Sequence, residues 1–582
     1  MPITTSLAAC STTVANNGPD GAVDAPSTLD DSIRYALAFI AQLRDTKSDG
    51  TYLQGASGAV TRTVQAKFQD TISVKDFGAV GDGVANDTAA IQAALNAAAG
   101  KYAVYIPAGR YNVTAGSLTS SGGFTRIIGE GVNTSRLQSS TGTGSILTIT
   151  QTDFTQPITV SDLSFITYTQ ETQTGITING NAVDAQINRV QARAELRNVE
   201  VRGDNVALHG PLNGIIINSC HNLLLSKIFV SGRNDGTGTR AGATKMQSGV
   251  QIIGSATGIP TDFEIQACYI FQGVYGFNLS GGMEGVNFVQ CVSVACDYSY
   301  FSDQTTAGTR PWISFVGCHG AAFVRCISLT NVPQAFISNC LLYKRGEANS
   351  LTVAIFLNNC DLSAIHDNLI YNSATSFTTN GDFIGIAVGG TSTYCNVHHN
   401  KMDRVQYGVN LVGNASFTKT EANIVSTLYG SGTPQEYVNQ SAGTGNTRLN
   451  NPRFENSQKN GAVITLNSAT TTALSLISPD TAEVGDEFLI SAMIHVTKDA
   501  TAGGVKVYLA QTAGTGVPVF LNSFAQANGY CYLAASTDGY IQISTVMKIA
   551  TAGPITLTLS ASTNAGGATV AVNDAQVNLL RR

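Results

Sequence analysis

The sequence predicts an all-β protein built around an elongated solenoid, and three observations lead to this prediction. A chain of 582 residues is too long for one compact hydrophobic core. Charged residues make up only 12 % of the chain, whereas 59 residues are glycine, and turn-forming residues separate short β-branched runs. Segments that end in cysteine recur at intervals of 20 to 27 residues, a unit length typical of stacked coils.

The first 70 residues contain one predicted amphipathic helix. Residues 28–43 place Ile33, Leu37, Ile40 and Leu43 on one stripe, with acidic residues in the first turn. A lone helix of this length has little stability of its own. Its apolar stripe is therefore expected to pack against a partner, and the end of the solenoid is one candidate.

Residues 71–111 predict a strand, a glycine-rich turn, a helix and a second strand. The first strand covers Ile72 to Val74, and the helix begins at Asp87, whose carboxylate is expected to cap the free amides of the first turn. Gly100 supplies a left-handed stop, and the next strand and turn span residues 103–111. Helical spacing predicts a buried face made of Ile91, Ala94, Leu95 and Ala98.

This run resembles the N-terminal cap of the pectate-lyase-like right-handed β-helix superfamily, in the form found in bacteriophage tailspikes. The resemblance implies a right-handed parallel β-helix that begins near residue 71 and holds or cuts a long polysaccharide. It also implies a homotrimer, in which a trimer mate or the virion is the partner of the helix at residues 28–43. The cap motif itself closes the end of a solenoid and performs no chemistry.

Six segments that end in cysteine share one pattern. Counted from Cys268, the next four cysteines of the pattern follow after 23, 27, 22 and 20 residues, and one more lies upstream at Cys220. The positions five and three before each cysteine are apolar, and strand alternation places both on one face. The predicted inward residues are Ile215, Ile217, Phe263, Ile265, Val286, Phe288, Ile313, Phe315, Ala335, Ile337, Ile355 and Leu357.

The cysteines are interpreted as small interior residues, stacked at a turn as reduced thiols. A disulfide or metal role is the alternative, but no C-x-x-C pair occurs. Residues 365–368 (Ile-His-Asp-Asn) and 397–400 (Val-His-His-Asn) extend the solenoid to about residue 425. Their histidines are expected to belong to an asparagine-type turn ladder rather than to a metal site, so no metal and no cofactor is predicted.

From about residue 450 the coil pattern stops, and strands alternate with turns in the manner of a jelly-roll-type β-sandwich. These strands are predicted at Ala462–Leu466, Glu487–Ile494, Val505–Ala510, Tyr540–Ile549 and Ile555–Ala561. The resemblance to tailspikes implies trimerisation or carbohydrate contact for this part. The predicted domains are an attachment segment at 1–70, a capped β-helix at 71–450 and a β-sandwich at 451–582.

Composition also limits the partners. A net charge of −6 and the lack of a basic run disfavour nucleic acid. No window approaches eighteen uninterrupted apolar residues, so membrane insertion is not predicted. Residues 1–20 carry no export signal, which disfavours a secreted bacterial enzyme.

Three acids at the start of two neighbouring coils are the predicted catalytic residues. Asp262 and Glu264 lie six and four residues before Cys268, so both should face outward, and Glu284 begins the next coil. Spacings of about 4.8 Å between coils and about 6.6 Å along a strand suit the carboxylate pairs of glycosidases. Like charges this close raise the pKa of one carboxyl, as a general acid requires. The alternative is that these are ordinary solvated acids beside a turn.

A second cluster, at residues 297–312, is predicted to bind sugar. Aromatic faces stack on sugar rings, and acids and guanidinium groups bind hydroxyl or carboxylate groups. The two aspartates of the cluster are too far apart to pair on a straight strand, so a loop would have to bring them together. A long coil insertion with surface tyrosines is the alternative. The predicted binding residues are Asp297, Tyr298, Tyr300, Asp303, Arg310 and Trp312.

The motifs of the superfamily's enzyme branches are not matched, so no catalytic residue is carried over from them. Polygalacturonases carry Asn-Thr-Asp, Asp-Asp, Gly-His-Gly and Arg-Ile-Lys elements, and only Cys318-His319-Gly320 faintly resembles the third. The calcium-binding acids of pectate lyases are not matched either.

The favoured interpretation is a homotrimeric phage tailspike that binds a bacterial surface polysaccharide (capsule, exopolysaccharide or O-antigen) and cuts it by endo-glycosidic hydrolysis. Such a protein would be made in the host cytoplasm, join the phage tail or baseplate through its N-terminus and act at the bacterial cell surface. A polysaccharide lyase that acts by β-elimination is the first alternative, with His319, Arg310 and Arg325 as candidate residues. A non-catalytic glycan-binding adhesin is the second.

Overall fold

The computed structural model describes residue 36, residues 51–449 with gaps, and the strands of residues 464–581. The gaps are residues 123, 153–154, 181–192, 235–244, 256–259, 305–311, 346–350, 374–382, 427 and 429–434. The amphipathic helix predicted at 28–43 lies outside the described residues, apart from residue 36, which is helical. None of the helices in the described ranges has the length and apolar character needed to cross a membrane.

The predicted helix in the segment 71–111 is present as Thr88–Ala98, and Gly100 follows it in the left-handed region with φ 69°. All four residues of its predicted apolar face are buried and join the main hydrophobic core. The preceding elements are the antiparallel pair Thr51–Tyr52 and Arg62–Thr63, the helix Val64–Phe68 and the 3₁₀ helix Val74–Phe77.

The capping role predicted for Asp87 is wrong. Its carboxylate makes no bond to the first turn of the helix. Instead it accepts hydrogen bonds from the backbone N–H groups of Val80 (2.7 Å) and Gly81 (3.2 Å). The N–H of Thr88 is satisfied by the side-chain oxygen of Asn86 at 3.0 Å. Asp87 therefore holds the glycine-rich turn against the helix, a contact between segments that helix-capping rules do not consider.

From Thr71 to Leu449 the chain winds into a parallel β-helix with three sheets, called A, B and C in the order in which each coil visits them. Strands pair in parallel with those one coil before and one coil after. Five long strands bend from one sheet into the next and so belong to two sheets. Because parallel strands are spaced by about 4.8 Å, equivalent residues of successive coils stack in columns.

The strand bounds of each sheet follow the chain. Sheet A comprises Thr71–Ser73, Ala103–Ile106, Thr125–Gly129, the first halves of Ile158–Thr167, Ala194–Gly203 and Leu223–Ser231, then Thr261–Gln266, Glu284–Val289, Trp312–Val316, Gln334–Ser338, Ala364–His366, Asn396–His398, Lys419–Glu421 and Thr447–Leu449. Sheet B comprises Asp82–Asn86, Gly109–Ala115, Ser135–Gly142, the second halves of the same three long strands, Tyr269–Phe271, the first halves of Val292–Asp303 and His319–Thr330, then Leu341–Lys344, Leu369–Asn372, Lys401–Asp403 and Ile424–Val425. Sheet C comprises Leu118–Gly122, Gly144–Gln151, Gln173–Asn179, Asn213–Asn218, Met246–Ile253, Gly273–Ser280, the second halves of Val292–Asp303 and His319–Thr330, then Thr352–Asn358, Phe383–Gly389, Tyr407–Leu411 and Gln435–Asn439.

The core fills the space between the three sheets, and the predicted inward columns line it. Every predicted inward position is at most 1 % exposed. At its centre Phe277 stacks on Tyr300, and Phe288 stacks on Phe315, with ring centroids 5.2 and 4.8 Å apart. The alternation deduced from the cysteine pattern is therefore confirmed.

The cysteines of that pattern form two groups rather than one. The first group follows strands of sheet A and contains Cys268, Cys291, Cys318 and Cys340. Cys220 and Cys360 follow strands of sheet C, so they lie at a different corner of the coil. The sequence pattern could not separate the groups because strands of both sheets end in the same inward–outward alternation before a left-handed turn residue.

The prediction of buried, reduced thiols is confirmed for the nine cysteines whose side chains are described. In the first group, each S–H donates to a carbonyl oxygen of the preceding coil, as Cys291 does to Ile265 at 3.3 Å and Cys318 to Phe288 at 3.5 Å. Burial raises the pKa of Cys220, Cys326 and Cys360 to about 12, so these thiols stay protonated near neutral pH.

The first cysteine group is continued by an asparagine ladder, as the histidine-containing repeats predicted. The backbone N–H of Cys340 donates to the side-chain oxygen of Asn368 at 2.9 Å. The side-chain amide of Asn368 donates to Asn400, and that of Asn400 donates to Asn423, both at 2.9 Å. This ladder satisfies polar groups at the corner between sheets A and B.

The strands described beyond residue 463 form two antiparallel sheets. In spatial order, the first contains Ile464–Asn467, Thr569–Arg581, Glu487–Lys498, Asp538–Thr551 and Val517–Phe520. The second contains Thr471–Ile477, Thr556–Thr563, Gly503–Ala513 and Gln526–Leu533. The change from parallel to antiparallel pairing agrees with a change of architecture near residue 450, and the β-sandwich stays a prediction.

Candidate functional site

The three acids predicted to be catalytic are exposed on sheet A. Asp262 and Glu264 lie on the strand Thr261–Gln266, with the buried Phe263 between them. Glu284 begins the next strand of the sheet and pairs with Thr261. Asp262 has a left-handed backbone with φ 65°, and Gly285 beside it on the next coil has φ 74°. The acids thus gather where two neighbouring coils enter sheet A.

Glu264 has a basic partner that the sequence did not suggest. Arg193 lies just before the strand Ala194–Gly203, and its Nη2 is 2.5 Å from Oε2 of Glu264. Glu195, Leu224 and Glu264 occupy one outward column on three successive coils. Arg193 therefore reaches past the intervening coil to hold the Glu264 carboxylate.

Trp312 lies beside these acids rather than with the rest of its predicted cluster. It begins the strand of sheet A that follows the Glu284 strand, where its neighbour Ile313 pairs with Val286. The indole is half-buried, and its ring centroid lies 6.2 Å from that of Phe336. An aromatic side chain and three carboxylates thus share one edge of sheet A.

Tyr300 was predicted to contact sugar, and this prediction is wrong. Its ring is fully buried among the core aromatic residues. The hydroxyl donates to the carbonyl of Cys291 at 2.8 Å and lies 3.1 Å from that of His319. Since the strand alternation is irregular at the preceding corner, residue type alone could not show which tyrosine points inward.

The two aspartates of the same cluster are not brought together. Both lie on the single strand Val292–Asp303, six residues apart, which corresponds to roughly 20 Å along a strand. Asp297 is 4 % exposed, so it does not offer an open carboxylate to a polymer. Asp303 is half-buried at the end of sheet C and accepts a hydrogen bond from Asn331 at 3.2 Å. Arg310 lies outside the described residues.

On two successive coils the start of the sheet C strand contains an irregularity that turns one extra residue inward. Tyr298 and Tyr300 both pair with the preceding coil, but Ser299 between them does not. Gly276 occupies the equivalent position one coil earlier, and a side chain there would collide with Ser293 in the core. Ser299 and Tyr300 therefore both face inward, which shifts the alternation of the strand by one residue. As a result Tyr298 faces outward although Tyr300 faces inward.

This shift creates an aromatic surface on the outside of sheet C, called the sheet C platform. Tyr275 stacks on Tyr298 with ring centroids 5.2 Å apart, and Phe301 lies 4.9 Å from Tyr275. On the next coil the guanidinium carbon of Arg325 lies 3.7 Å above the ring of Phe356. These five residues form the platform, and each is half-buried.

Sequence reasoning found only Tyr298 and Arg325 of the platform. Tyr275, Phe301 and Phe356 lie on three different coils, so no local motif connects them. The spacing of 23 residues between Tyr275 and Tyr298, which equals the separation of Cys268 and Cys291, was the available signal. This spacing identifies the platform only if the coil repeat is applied to outward-facing residues as well as to inward-facing ones.

The residues proposed for β-elimination are split between two faces. His319 is on the outer side of sheet B, where its ring lies 5.3 Å from that of Tyr343, and burial lowers its pKa. Arg325 lies past the corner, on sheet C. Tyr298 rather than His319 is the direct neighbour of Arg325, because these two residues pair on adjacent coils.

Histidines stack on sheet A but do not complete a metal centre. His366 and His398 pair on adjacent coils with ring centroids 5.0 Å apart. Among the described residues, no group of three or more His, Cys, Asp and Glu side chains is arranged to hold a metal ion.

Comparison with known proteins supports the superfamily. Residues 71–287 match the family described as rhamnogalacturonase A/epimerase, pectate lyase-like. The curated relatives include mannuronan C5-epimerase AlgE2 of Azotobacter vinelandii, which is 54 % identical over 67 residues, or 10 % of this chain and 7 % of that protein. The chain therefore spans less than a tenth of the length of this relative. The match to this pectate-lyase-like family over residues 71–287 agrees with the resemblance of the cap.

Solved structures similar to this chain include a phage protein and an epimerase. The tailspike gp61 of Pseudomonas phage phi297 is 12 % identical, with a TM-score of 0.45, over 85 % of this chain and 99 % of that chain. The A-module of mannuronan C-5 epimerase AlgE6 of Azotobacter vinelandii is 17 % identical, with a TM-score of 0.40, over 65 % of this chain and 99 % of that module.

Proposed function

We propose that this chain is a phage tailspike that binds a bacterial surface polysaccharide and cuts it by endo-glycosidic hydrolysis. The observation that carries the proposal is the exposed group of Asp262, Glu264 and Glu284 at the entrance of two coils to sheet A, with Trp312 on the following coil. Two carboxylates flanking a glycosidic bond are the usual requirement of such hydrolysis. An adjacent indole supplies a face on which a sugar ring can stack.

The outer face of a β-helix suits a long polymer. Columns of outward side chains repeat at about 4.8 Å along the helix axis, so a polysaccharide lying along the axis meets several coils at once. Asp303 ends a sheet C strand and pairs with Ser280, which ends the preceding sheet C strand. Glu284 follows Ser280 at the start of a sheet A strand, so Asp303 and Glu284 both lie at the corner between sheets C and A. A polymer crossing this corner would pass from the sheet C platform to the acids.

Arg193 gives Glu264 a defined orientation, which a catalytic carboxylate needs. The exposed ion pair contributes little to stability, because such pairs are worth about 0–1 kcal/mol. Its value would lie in fixing one carboxylate relative to the other two. In this proposal one of Asp262 and Glu284 is the general acid, and Glu264 is the base or nucleophile.

The proposal also covers the oligomeric state of the protein, its attachment to the phage and its location. The tailspike would be a homotrimer that attaches to the phage tail or baseplate through residues 1–70. Residues 451–582 would form a β-sandwich for trimerisation or carbohydrate contact. The protein would be made in the host cytoplasm and carried on the virion to the cell surface. No cofactor is needed for hydrolysis by carboxylates.

One observation favours a second candidate function, a polysaccharide lyase. β-Elimination requires a base and a group that neutralises a uronate carboxylate. Tyr298 and Arg325 are neighbours on adjacent coils of sheet C and could fill these roles. The curated relatives also include alginate lyase 7 of Azotobacter vinelandii, 56 % identical over 52 residues, or 9 % of this chain and 6 % of that protein.

The test is a depolymerisation assay on purified capsular polysaccharides and exopolysaccharides, alginate included. Loss of viscosity, with oligosaccharides seen by mass spectrometry, is the expected result. Fragments that carry added water support hydrolysis, whereas unsaturated fragments that absorb in the ultraviolet support the lyase. Binding without fragments would leave only an adhesin, and neither binding nor cleavage across the set would contradict the proposal.

A further inference from the structure

Arg325 stands out among the arginines that the structure describes in the β-helix, because its guanidinium rests on an aromatic ring. The group lies 3.7 Å above the centre of Phe356, and Nη1 donates to the hydroxyl of Ser328 at 3.1 Å. A guanidinium has five N–H donors, so a single hydroxyl leaves most of them available. Stacking on Phe356 fixes the plane of the group and limits the entropy lost when a ligand binds.

Three other arginines on the same β-helix pair with glutamates. Arg193 pairs with a glutamate at 2.5 Å, Arg202 at 2.9 Å and Arg233 at 3.0 Å. Within the described part of the chain, no carboxylate lies within ion-pair distance of Arg325. Partial burial lowers its pKa, which reflects the loss of water around the charge. A partly desolvated cation attracts an anion more strongly than an exposed one does.

The neighbouring coils supply aromatic faces next to this cation. Tyr298 pairs with Arg325 across adjacent coils, and Tyr275 stacks on Tyr298 one coil further. The coil spacing of about 4.8 Å is close to the length of one sugar residue in an extended polysaccharide. Ring faces for stacking and a guanidinium for a carboxylate thus lie within a few coils.

We propose that the sheet C platform is a subsite for an acidic sugar, in which Arg325 binds the sugar carboxylate and Tyr298 stacks against a sugar ring. The proposal rests on the proposed function and narrows its substrate class to polysaccharides that contain carboxylate sugars. Bidentate binding of a carboxylate by a planar guanidinium explains why an arginine occupies this position. The subsite serves hydrolase and lyase chemistry equally, since it concerns recognition and not bond cleavage.

The test compares acidic and neutral polymers, with the full-length protein throughout. The probes are purified capsular polysaccharides, some with uronate or other carboxylate sugars and some neutral, examined by affinity electrophoresis. The polymer that slows the wild-type protein most is then converted to its carboxyl-reduced form. We expect an acidic polymer to bind best and carboxyl reduction to weaken binding about 10- to 100-fold, the range of a charge-assisted hydrogen-bond pair.

Variants of Arg325 and a control variant distinguish loss of the subsite from a general loss of folding. Arg325→Gln should weaken binding of the acidic polymer to the same extent, and Arg325→Lys should retain part of it. Arg136, on the outer side of sheet B many coils away, gives the matched control Arg136→Gln, which should bind like wild type. Equal melting temperatures would show that each variant is folded.

The outcomes distinguish the inference from the proposed function. Depolymerisation of a neutral polymer, or an affinity unchanged by both carboxyl reduction and Arg325→Gln, would overturn the acidic subsite while the tailspike proposal stands. Failure to bind or cut any polymer would contradict the proposed function, and the subsite would fall with it.

Discussion

The guanidinium of Arg193 lies 2.5 Å from the carboxylate of Glu264, although the two residues are separated by 71 positions in the sequence. The contact passes over an intervening coil, where Leu224 occupies the column between Glu195 and Glu264. This ion pair distinguishes Glu264 from Asp262 and Glu284, for which the described residues provide no basic partner. It has a fixed orientation, and it shares its coil entrance with Asp262 and Glu284.

Replacement of the three sheet A acids should abolish cleavage without unfolding the protein. Loss of a general acid or base lowers kcat by about 10²–10⁴-fold, so we expect this loss from Glu264→Gln and from at least one of Asp262→Asn and Glu284→Gln. Each variant should melt like wild type because all three side chains are exposed. Fragment release from the cleaved polymer is the measurement.

Glu195 provides the matched control for these variants. It lies in the same outward column as Glu264, two coils earlier, and it pairs with Arg197. Glu195→Gln should leave cleavage unchanged, since it has neither Asp262 nor Glu284 beside it. Full activity in all three acid variants would show that the catalytic site lies elsewhere.

The asparagine ladder should contribute strongly to stability. Asn400 is fully buried, and its side-chain amide donates to Asn423 and to the carbonyl of Ile365, while its oxygen accepts from Asn368. Asn400→Ala would leave buried partners unsatisfied, at a cost of about 1–3 kcal/mol each. We expect the free energy of unfolding to fall by at least about 2 kcal/mol in urea titrations.

Lys401 is the control for the ladder variant, because it is the next residue and its side chain is exposed. Lys401→Ala should change the free energy of unfolding by less than about 0.5 kcal/mol. Equal effects of the two substitutions would mean that the ladder is not a stability element.

The buried thiols should resist alkylation in the native protein. The nine described cysteines are buried and so poorly accessible to reagent, and burial raises the pKa of Cys220, Cys326 and Cys360 to about 12, so these three carry little thiolate at pH 8. Of the 11 cysteines, at most the other two should react with iodoacetamide before denaturant is added. Rapid labelling of Cys326 in the folded protein, seen by peptide mass spectrometry, would contradict the interior assignment.

The stacked histidines should make the fold less stable in mild acid. Desolvation lowers the pKa of His398, and so do His366 and His399, although Asp367 and Glu421 act in the opposite direction. Lys419 also belongs to this cluster, through its ion pair with Glu421. Because the folded-state pKa is below the unfolded value of about 6.5, the unfolded chain binds more protons as pH falls through this range.

The expected result is a melting temperature that falls between pH 7 and pH 5, with a smaller fall for His398→Gln. The variant cannot take up a proton at this position in either state, so its part of the pH dependence disappears. Parallel pH profiles for wild type and variant would show that His398 does not contribute to acid sensitivity.

The coil architecture could be predicted from the sequence because the inward-facing residues recur at regular intervals. Phe263, Val286 and Ile313 are equivalent positions on successive coils, and each must be apolar to fill the core. The same reasoning merged Cys220 with the Cys268 group, because strands of different sheets end in similar patterns. An apolar alternation identifies a strand of a solenoid, but not the sheet to which it belongs.

The site was harder to predict than the core. Exposed acids could be assigned to the outside of sheet A because Phe263 between them had to be inside. The orientation of Tyr298 and Tyr300 depends instead on a local irregularity that places Ser299 inward, for which the sequence has no strong signal. Likewise the pairing of Arg193 with Glu264 depends on how the coils stack, since the two residues are 71 positions apart in the sequence.

Digestion in water enriched in ¹⁸O tests the central claim most directly. The protein is incubated with the polysaccharide that it binds best, and the fragments are examined by mass spectrometry. Hydrolysis through Asp262, Glu264 and Glu284 predicts one ¹⁸O atom at each new reducing end, and no such fragments from the inactive acid variant. Fragments without ¹⁸O and with an unsaturated uronate would establish elimination instead, and intact polymer that binds tightly would contradict an enzymatic role.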